Sequence, residues 1–306
     1  MNKLPLVSVA LCVYNGEKHL KEQLESILNQ DYQNIEIIAV DDCSSDNSRI
    51  ILETYAEQNE ILKIFTNDIN LGYVKNFEKA IQLSNGKYIA LADQDDIWLP
   101  QKISTQVDGI GENILIYHDS EFIDEDGHSL DKKMSDILDL YEGSCPLPFV
   151  FMNCVSGHTV MFERSLINHA LPFNQSFFHD WWLAFTALNV GSIKVSPFPL
   201  VKYRQHPKST IDFLGLKENV IDHKKPEHEL LLKKEWVKFC SSYKGVYSSY
   251  LKKIYNLISP DISFIGKMIL FYLLAKNRKE FLIISKTPAT ENLKAIRKLV
   301  FSLNNQ

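Results

Sequence analysis

The fold turns on the stretch Ala90-Leu91-Ala92-Asp93-Gln94-Asp95-Asp96-Ile97-Trp98. A short apolar run, Tyr88 to Ala92, delivers Asp93, Asp95 and Asp96 in close succession, and Ile97, Trp98 and Pro100 follow at once. That order predicts a buried strand whose open end carries acids. Carboxylates so close repel and raise one another's pKa unless a cation holds them ionised. Hard oxygen ligands suit Mg²⁺ or Mn²⁺ better than zinc, and magnesium on one or two carboxylates keeps its other positions for water and substrate phosphates. The stretch therefore predicts a place to hold a diphosphate. An acidic turn that caps the next helix has the same composition, so these residues alone leave both readings open.

Upstream, Leu6 to Val13 is apolar and partly β-branched, which predicts a fully buried strand, and the turn Tyr14-Asn15-Gly16 leads into a helix with Leu20, Leu24, Ile27 and Leu28 on one face. Ile35 to Val40 predicts a second strand. It ends in Asp41-Asp42-Cys43-Ser44-Ser45-Asp46, where a serine or Asp46 can cap a helix carrying Ile50, Ile51 and Tyr55. Leu62 to Phe65 reads as a third strand and Tyr73 to Leu83 as a third helix. Strands alternating with helices predict an α/β fold, a mostly parallel sheet with helices on both faces. Ligands bind such sheets beyond the carboxyl ends of the strands. Three ends then converge: Tyr14-Asn15, Asp41-Asp42, and Asp93 to Asp96. No Gly-x-Gly-x-x-Gly follows the first strand and there is no Walker sequence, which disfavours a dinucleotide enzyme. A nucleotide base is still within reach, because Asp42 or its neighbour can accept the N3 hydrogen of uracil or thymine while Tyr14 offers a face for stacking. The plainer reading of Tyr14 is a half-buried aromatic at a strand end.

Downstream the pattern predicts a helix from about Pro100 to Val107, a strand over Ile114 to Tyr117, and a hairpin turn at Glu125-Asp126-Gly127. Phe149 to Val160 is apolar again and contains Ser156-Gly157-His158, where glycine allows close backbone approach, as of a sugar. A second unusual cluster is Phe177-Phe178-His179-Asp180-Trp181-Trp182. Aromatic neighbours exclude water from Asp180 and raise its pKa toward that of a useful base, and the indoles of Trp181 and Trp182 are surfaces on which a pyranose packs. Asp180 also fits the N-cap of a helix over Trp181 to Leu188. Phe198 to Tyr203 is a last short strand, ending in Tyr203-Arg204-Gln205-His206. Arg204 is placed to neutralise a phosphate and His206 to add a nitrogen ligand to the metal, although a lone histidine is more often structural.

Beyond about Lys217 the sequence becomes helical and lysine-punctuated, so residues 1–215 and 216–306 are expected to form a main domain and a helical C-terminal region. Its most apolar part, Ile262 to Leu274, is followed by Lys276, Arg278 and Lys279. Such a helix suits the headgroup layer of an anionic membrane as a peripheral contact, or packs on the main domain or on a second subunit as in a homodimer.

The 306-residue chain is 45% hydrophobic and 23% charged with a formal net charge of −5, an ordinary globular composition that argues against nucleic acid as the main partner. Its cysteines, Cys12, Cys43, Cys145, Cys154 and Cys240, are scattered without Cys-x-x-Cys pairing, which suits a reducing cytoplasm. Lys3 followed by the apolar Leu4 to Val13 lacks a small-residue cleavage site, so it reads as a strand rather than a signal peptide. No run reaches the roughly 18 apolar residues of a membrane span.

Taken together, the chain resembles the family 2 glycosyltransferases of the GT-A fold, and within them bacterial rhamnosyltransferase-like enzymes of surface polysaccharide assembly such as O-antigen and capsule. The resemblance rests on Val7-Ser8-Val9 through Tyr14-Asn15, Val40 to Asp46, Asn70-Leu71-Gly72 with Asn76, Asn85-Gly86-Lys87-Tyr88-Ile89, Asp93 to Trp98, and His179-Asp180-Trp181-Trp182, in order over about residues 5 to 210. It implies that Tyr14 and Asp42 contact the base of a sugar nucleotide, with Asn15, Asn70, Gly72 and Asn76 in the same site. It also implies that Asp96 is a direct ligand of Mg²⁺ or Mn²⁺, that Asp95 lies nearer the ribose or donor sugar, and that Asp180 is the catalytic base. The implied donor is a dTDP- or UDP-linked sugar, rhamnose first, and the implied acceptor a glycan or lipid-linked saccharide. The Gln-x-x-Arg-Trp segment and membrane spans of the family's processive synthases are missing, which implies single transfer. The rival readings are a sugar-phosphate nucleotidyltransferase, which needs a glycine-rich basic loop where Tyr14-Asn15-Gly16-Glu17 stands, and a sugar-nucleotide-binding assembly protein without turnover. A phosphohydrolase using Asp93 and Asp95 is a poorer fit.

Overall fold

The computed structural model describes residues 4–205, 226–259 and 261–303. They divide into two compact units, one of residues 4–143 and 155–205, the other of residues 144–154 and the C-terminal helices. The first unit is built on a nine-stranded sheet. Its strands are β1 (Val7–Val13), β2 (Ile35–Asp41), β3 (Leu62–Thr66), β4 (Tyr88–Ala92), β5 (Ile97–Trp98), β6 (Leu115–Ile123), β7 (Ser129–Lys133), β8 (Met161–Glu163) and β9 (Ile193–Arg204). They lie in the order β3-β2-β1-β4-β8-β6-β9-β5, with β7 on β6. The helices of this unit are α1 (Leu20–Leu28), α2 (Ser48–Gln58), α3 (Tyr73–Leu83), α4 (Lys102–Ile110), α5 (Met134–Ile137), α6 (Ile167–Ala170) and α7 (His179–Val190).

β1, β2 and β4 are buried along their whole length, as continuous apolar runs must be when helices cover both faces of a parallel sheet. Each aliphatic side chain so buried contributes roughly 1.5–3 kcal/mol. β1 pairs in parallel with both neighbours, Val13 opposite Asp41 and Leu11 opposite Ala92. This register brings the loops after β1, β2 and β4 to one edge. Gly86 is needed for the entry to β4, since a Cβ there would stand 2.6 Å from the Ser8 nitrogen and 2.7 Å from the Tyr88 oxygen.

Several elements depart from the sequence expectation. β6 runs on to Ile123 through the polar His118-Asp119-Ser120, because Asp119 is satisfied inside the sheet by the Ser120 N–H and by the Ser135 N–H and hydroxyl. β9 begins at Ile193, not Phe198, and accommodates Pro197 and Pro199 by shifts of register against β6 around Asp119. α4 starts at Lys102 rather than Pro100. Ile50 is 60% exposed, so α2 holds the sheet through Ile51 and Leu52 instead.

The second unit comprises α8 (Pro226–Ser242), α9 (Ser248–Asn256), α10 (Phe264–Lys276), α11 (Arg278–Leu282) and α12 (Asn292–Ser302), with the 3₁₀ turn Leu147–Val150. Trp236 donates its indole N–H to the Phe149 carbonyl, and Phe151 packs on Phe281 at 5.3 Å between ring centres. α10 is capped by the Ser263 hydroxyl, which accepts from the Gly266 N–H. It buries Gly266, Leu270 and Leu274 and leaves Phe264, Ile265, Met268, Ile269 and Tyr272 exposed. No helix among the described residues is long and apolar enough to cross a membrane.

Candidate active site

A cleft of about 540 Å³ opens along the edge where β1, β2 and β4 end. Asp93, Gln94, Asp95 and Asp180 all line it, so acids after β4 and the aspartate of α7 share a common space. Tyr14, Asn15, Asp42, Asn70, Gly72 and Asn76 line the same cleft.

The nucleotide-side rim is held by side chains. Gln94 accepts from the Tyr14 N–H at 2.6 Å and donates to its carbonyl at 3.0 Å, tying the loop after β1 to the acidic loop. Gly16 lets it pass, since a Cβ there would stand 2.5 Å from the Gln94 amide oxygen. Asn15, at φ 50°, accepts from the Ser45 N–H and hydroxyl, while its own N–H donates to the Ser44 hydroxyl. Asp42 is 2% exposed and accepts from the Asn67 amide and the Leu71 N–H on one oxygen and from the Gly72 N–H on the other. Asn76 donates to the Val40 carbonyl and accepts from Asn67. Asn70 donates to the Asp42 carbonyl. Gly72 takes φ +80° as the cap of α3, a conformation suited to glycine. Tyr14, 49% exposed, presents its ring at the mouth.

The acidic side is furnished differently. Asp96 is fully buried; one oxygen accepts from the Arg204 N–H at 3.0 Å and the other has no partner among the described residues. Burial, then the neighbouring Asp95 and Asp93, push its carboxyl well above the usual range, and Lys102 opposes the shift. Asp93 is pushed up to about 7 by burial and by Asp95 and Asp180 beside it. Lys102, also fully buried, lies 3.6 Å over the Trp98 ring and donates to the His158 carbonyl at 2.6 Å. A carboxylate oxygen each of Asp93 and Asp96 and a ring nitrogen of His158 lie within 4.8 Å of one another. A partnerless buried oxygen in a repelling cluster is a donor set that fits a divalent cation.

Asp180 is the second residue of α7, in its first turn, with Phe178 as the cap residue, so the expected N-cap role falls two positions earlier. Its oxygens accept from the Trp181 N–H and from the Gly157 N–H at 2.9 Å. Burial raises its carboxyl to about 6 against those donors. His179 stacks on Phe77 at 4.3 Å, and burial brings it down to about 3.

Two expectations are corrected. Arg204 borders the cleft, but its guanidinium is committed: Nε to the Asp95 carbonyl, Nη1 to the Asp124 and Glu125 carbonyls, and Nη2 to the Glu22 carboxylate at 2.6 Å. It anchors the acidic loop and is not a free phosphate clamp. Neither Trp181 nor Trp182 lines the cleft, because successive helical residues point about 100° apart. Trp182 is buried with its N–H on the Ala170 carbonyl, and the aromatic lining comes from Tyr73, Phe77, Phe178, His179 and Tyr203. His206 lies outside the described residues. The sequence reading missed Gln94, Lys102 and the ring of His158. None of the three carried a spacing signal: Lys102 reaches the Trp98 ring because α4 begins just after β5, which the sequence pattern alone does not show.

Residues 8–168 match the family Glycosyl transferase family 2. A Haemophilus influenzae protein named an uncharacterized glycosyltransferase is 27% identical over 80% of this chain and 77% of its own length. An Escherichia coli protein, UDP-Glc:alpha-D-GlcNAc-diphosphoundecaprenol beta-1,3-glucosyltransferase WfgD, is 29% identical over 65% of this chain and 77% of its own. Among solved structures, S. aureus TarS in complex with UDP superposes with a TM-score of 0.60 at 17% identity, covering 97% of this chain and 86% of that one. The mannosyltransferase PcManGT from Pyrobaculum calidifontis, in complex with GDP-Man and Mn²⁺, gives 0.56 at 15% identity, covering 99% and 85%. These structures share the fold.

Proposed function

The chain belongs to glycosyl transferase family 2, and from that premise we propose that it is an inverting, metal-dependent enzyme that moves one sugar from a nucleoside diphosphate to an acceptor hydroxyl in bacterial surface polysaccharide synthesis. The observation that carries this reading is the shared cleft, which Asp93 and Asp95 after β4 line together with Asp180. Asp180, raised to about 6, is largely ionised at neutral pH and basic enough to take the acceptor's proton. The acceptor oxygen then attacks the anomeric carbon from the face opposite the diphosphate, the C–O bond to phosphate breaks with its electron pair leaving on the diphosphate, and the configuration inverts. Asp93 and Asp96, with Asp95 on the open side, would hold Mg²⁺ or Mn²⁺, and that ion would supply positive charge for the departing diphosphate.

For the base we favour uracil or thymine, with dTDP-rhamnose as the first donor to try and UDP-sugars next. Tyr14 offers its face, and Asp42, although it already serves protein donors, keeps lone-pair capacity for an N3 hydrogen. The E. coli relative's name gives a UDP-sugar donor and a lipid diphosphate-linked acceptor, which supports a lipid-linked saccharide here. Such an acceptor gives a purpose to the exposed apolar face of α10, bordered by Lys267, Lys276, Arg278 and Lys279, as a peripheral contact with the anionic inner face of the cell membrane. Sedimentation with anionic vesicles separates this from pairing of the same face in a homodimer.

Thermal stabilisation by a panel of nucleotide sugars, with and without Mn²⁺, tests the donor. Stabilisation by dTDP- or UDP-sugars that chelation abolishes is expected. Stabilisation by guanosine nucleotides alone would remove Tyr14 and Asp42 from base recognition.

A further inference from the structure

The turn Gly157–Thr159 supplies a group for which neither the acidic loop nor Asp180 accounts. His158 is 2% exposed, and its Nε2 is buried with no partner among the described residues. A buried polar nitrogen left alone is destabilising, and so is a carboxylate oxygen such as that of Asp96. Both shortfalls occur where ligand atoms of His158, Asp93 and Asp96 converge within 4.8 Å, and a bound ion removes both at once.

The ring is also fixed in place. It stacks on Tyr203 at 4.0 Å between centres with 27° between planes, and the carbonyl of the same residue accepts from the buried Lys102. Locking a ligand by packing and by hydrogen bonds to its backbone is how metal sites hold an imidazole in one orientation.

We propose that His158 is a direct ligand of the divalent cation, completing with Asp93 and Asp96 a nitrogen-and-oxygen site assembled from the end of β4 and the Gly157–Thr159 turn. The inference rests on the metal-dependent reading above and deepens it. A nitrogen donor moves the preference from Mg²⁺ toward Mn²⁺, because imidazole suits transition metals and all-oxygen sets suit magnesium. Three protein ligands leave positions for water and for the donor's diphosphate.

The test uses the full chain loaded with Mn²⁺ and no nucleotide, read by electron spin-echo envelope modulation. Directly bound imidazole gives ¹⁴N modulation that changes to the ¹⁵N pattern in protein grown with ¹⁵N-histidine. In His158→Gln the modulation is expected to vanish and Mn²⁺ affinity to fall at least about tenfold. In His158→Asp, an oxygen replacement that stays usable if the glutamine variant folds poorly, Mn²⁺ is retained without nitrogen modulation and Mg²⁺ competes better. His206→Ala is expected to keep the signal. Modulation that survives in His158→Asp, or that disappears in His206→Ala, overturns the assignment, as does Mn²⁺ bound without any nitrogen coupling. Failure to bind Mn²⁺ overturns it together with the metal requirement, while sugar transfer persisting in chelator would leave the transferase reading standing.

Discussion

Asp42 and Asp96 follow β2 and β4, the two strands that flank β1, are 2% and 0% exposed, and are furnished in opposite ways. Asp42 has donors on both oxygens, and those donors belong to the loop that starts α3. Asp96 has one donor on one oxygen and, among the described residues, none on the other. Burial alone therefore separates no functional acid from a structural one. What separates them is whether the fold supplies the partners: the β2 side of the cleft uses its carboxylate to build a loop, and the β4 side, with His158 and Asp180 nearby, keeps oxygens for something that arrives from outside.

The largest effect that would sharpen this contrast lies on the chemical side. Asp180→Asn is expected to lower turnover about 10²-fold to 10⁴-fold while nucleotide sugar still stabilises the protein. Wild-type kcat should fall on an acid limb near pH 6, where Asp180 takes up its proton. A variant retaining most of its turnover removes Asp180 from the base role. The stability sign is the reverse of an ion-paired acid. Folding raises this carboxyl above its unfolded value near ~3.9, so its contribution is fully present below that pH and is lost as pH rises through about 6. Asn, which does not titrate, escapes that loss, and the variant's melting point should gain on wild type between pH 4 and 7.

Next in size is the β2 side. Asp42→Ala strands the Asn67 amide and the Leu71 and Gly72 N–H groups and should cost on the order of 3 kcal/mol, read in a denaturant midpoint. Asp96→Asn should cost less, since the amide oxygen can still accept from the Arg204 N–H, and should abolish metal-dependent stabilisation instead. Equal melting losses for the two variants would break the comparison. Smallest is Gly72→Ala. A Cβ there meets nothing within 4 Å, so only the backbone at φ +80° and ψ 154° opposes it, at about 1–3 kcal/mol.

How much of this was legible in sequence follows the same division. The buried runs of β1, β2 and β4 declare themselves by composition, and their order fixes which loops meet, so Tyr14, Asp42, Asp93 and Asp95 could be gathered from the pattern, whereas Asp180 joined them only through the family resemblance. Side-chain commitment could not be. Arg204 looks like a phosphate clamp until its guanidinium is found on Glu22 and on backbone carbonyls far away in the chain, and Trp181 looks like a sugar platform although the aromatic lining of the cleft comes from other residues. His158 was visible only as the neighbour of a glycine, because its meeting with Asp93 and Asp96 depends on the antiparallel pairing of β8 with β4.

The stitching of Gln94 to Tyr14 and of Asn15 to Ser44 and Ser45 has an evolutionary consequence. Each stitch is a contact between one side chain and a loop, worth about 0.5–1.5 kcal/mol, and none belongs to a strand ladder. Single substitutions there can redraw the entrance for a new nucleotide or sugar without unseating the sheet beneath it. A lineage built this way diversifies its substrates by editing its threshold, while the scaffold that aims the acids stays inherited.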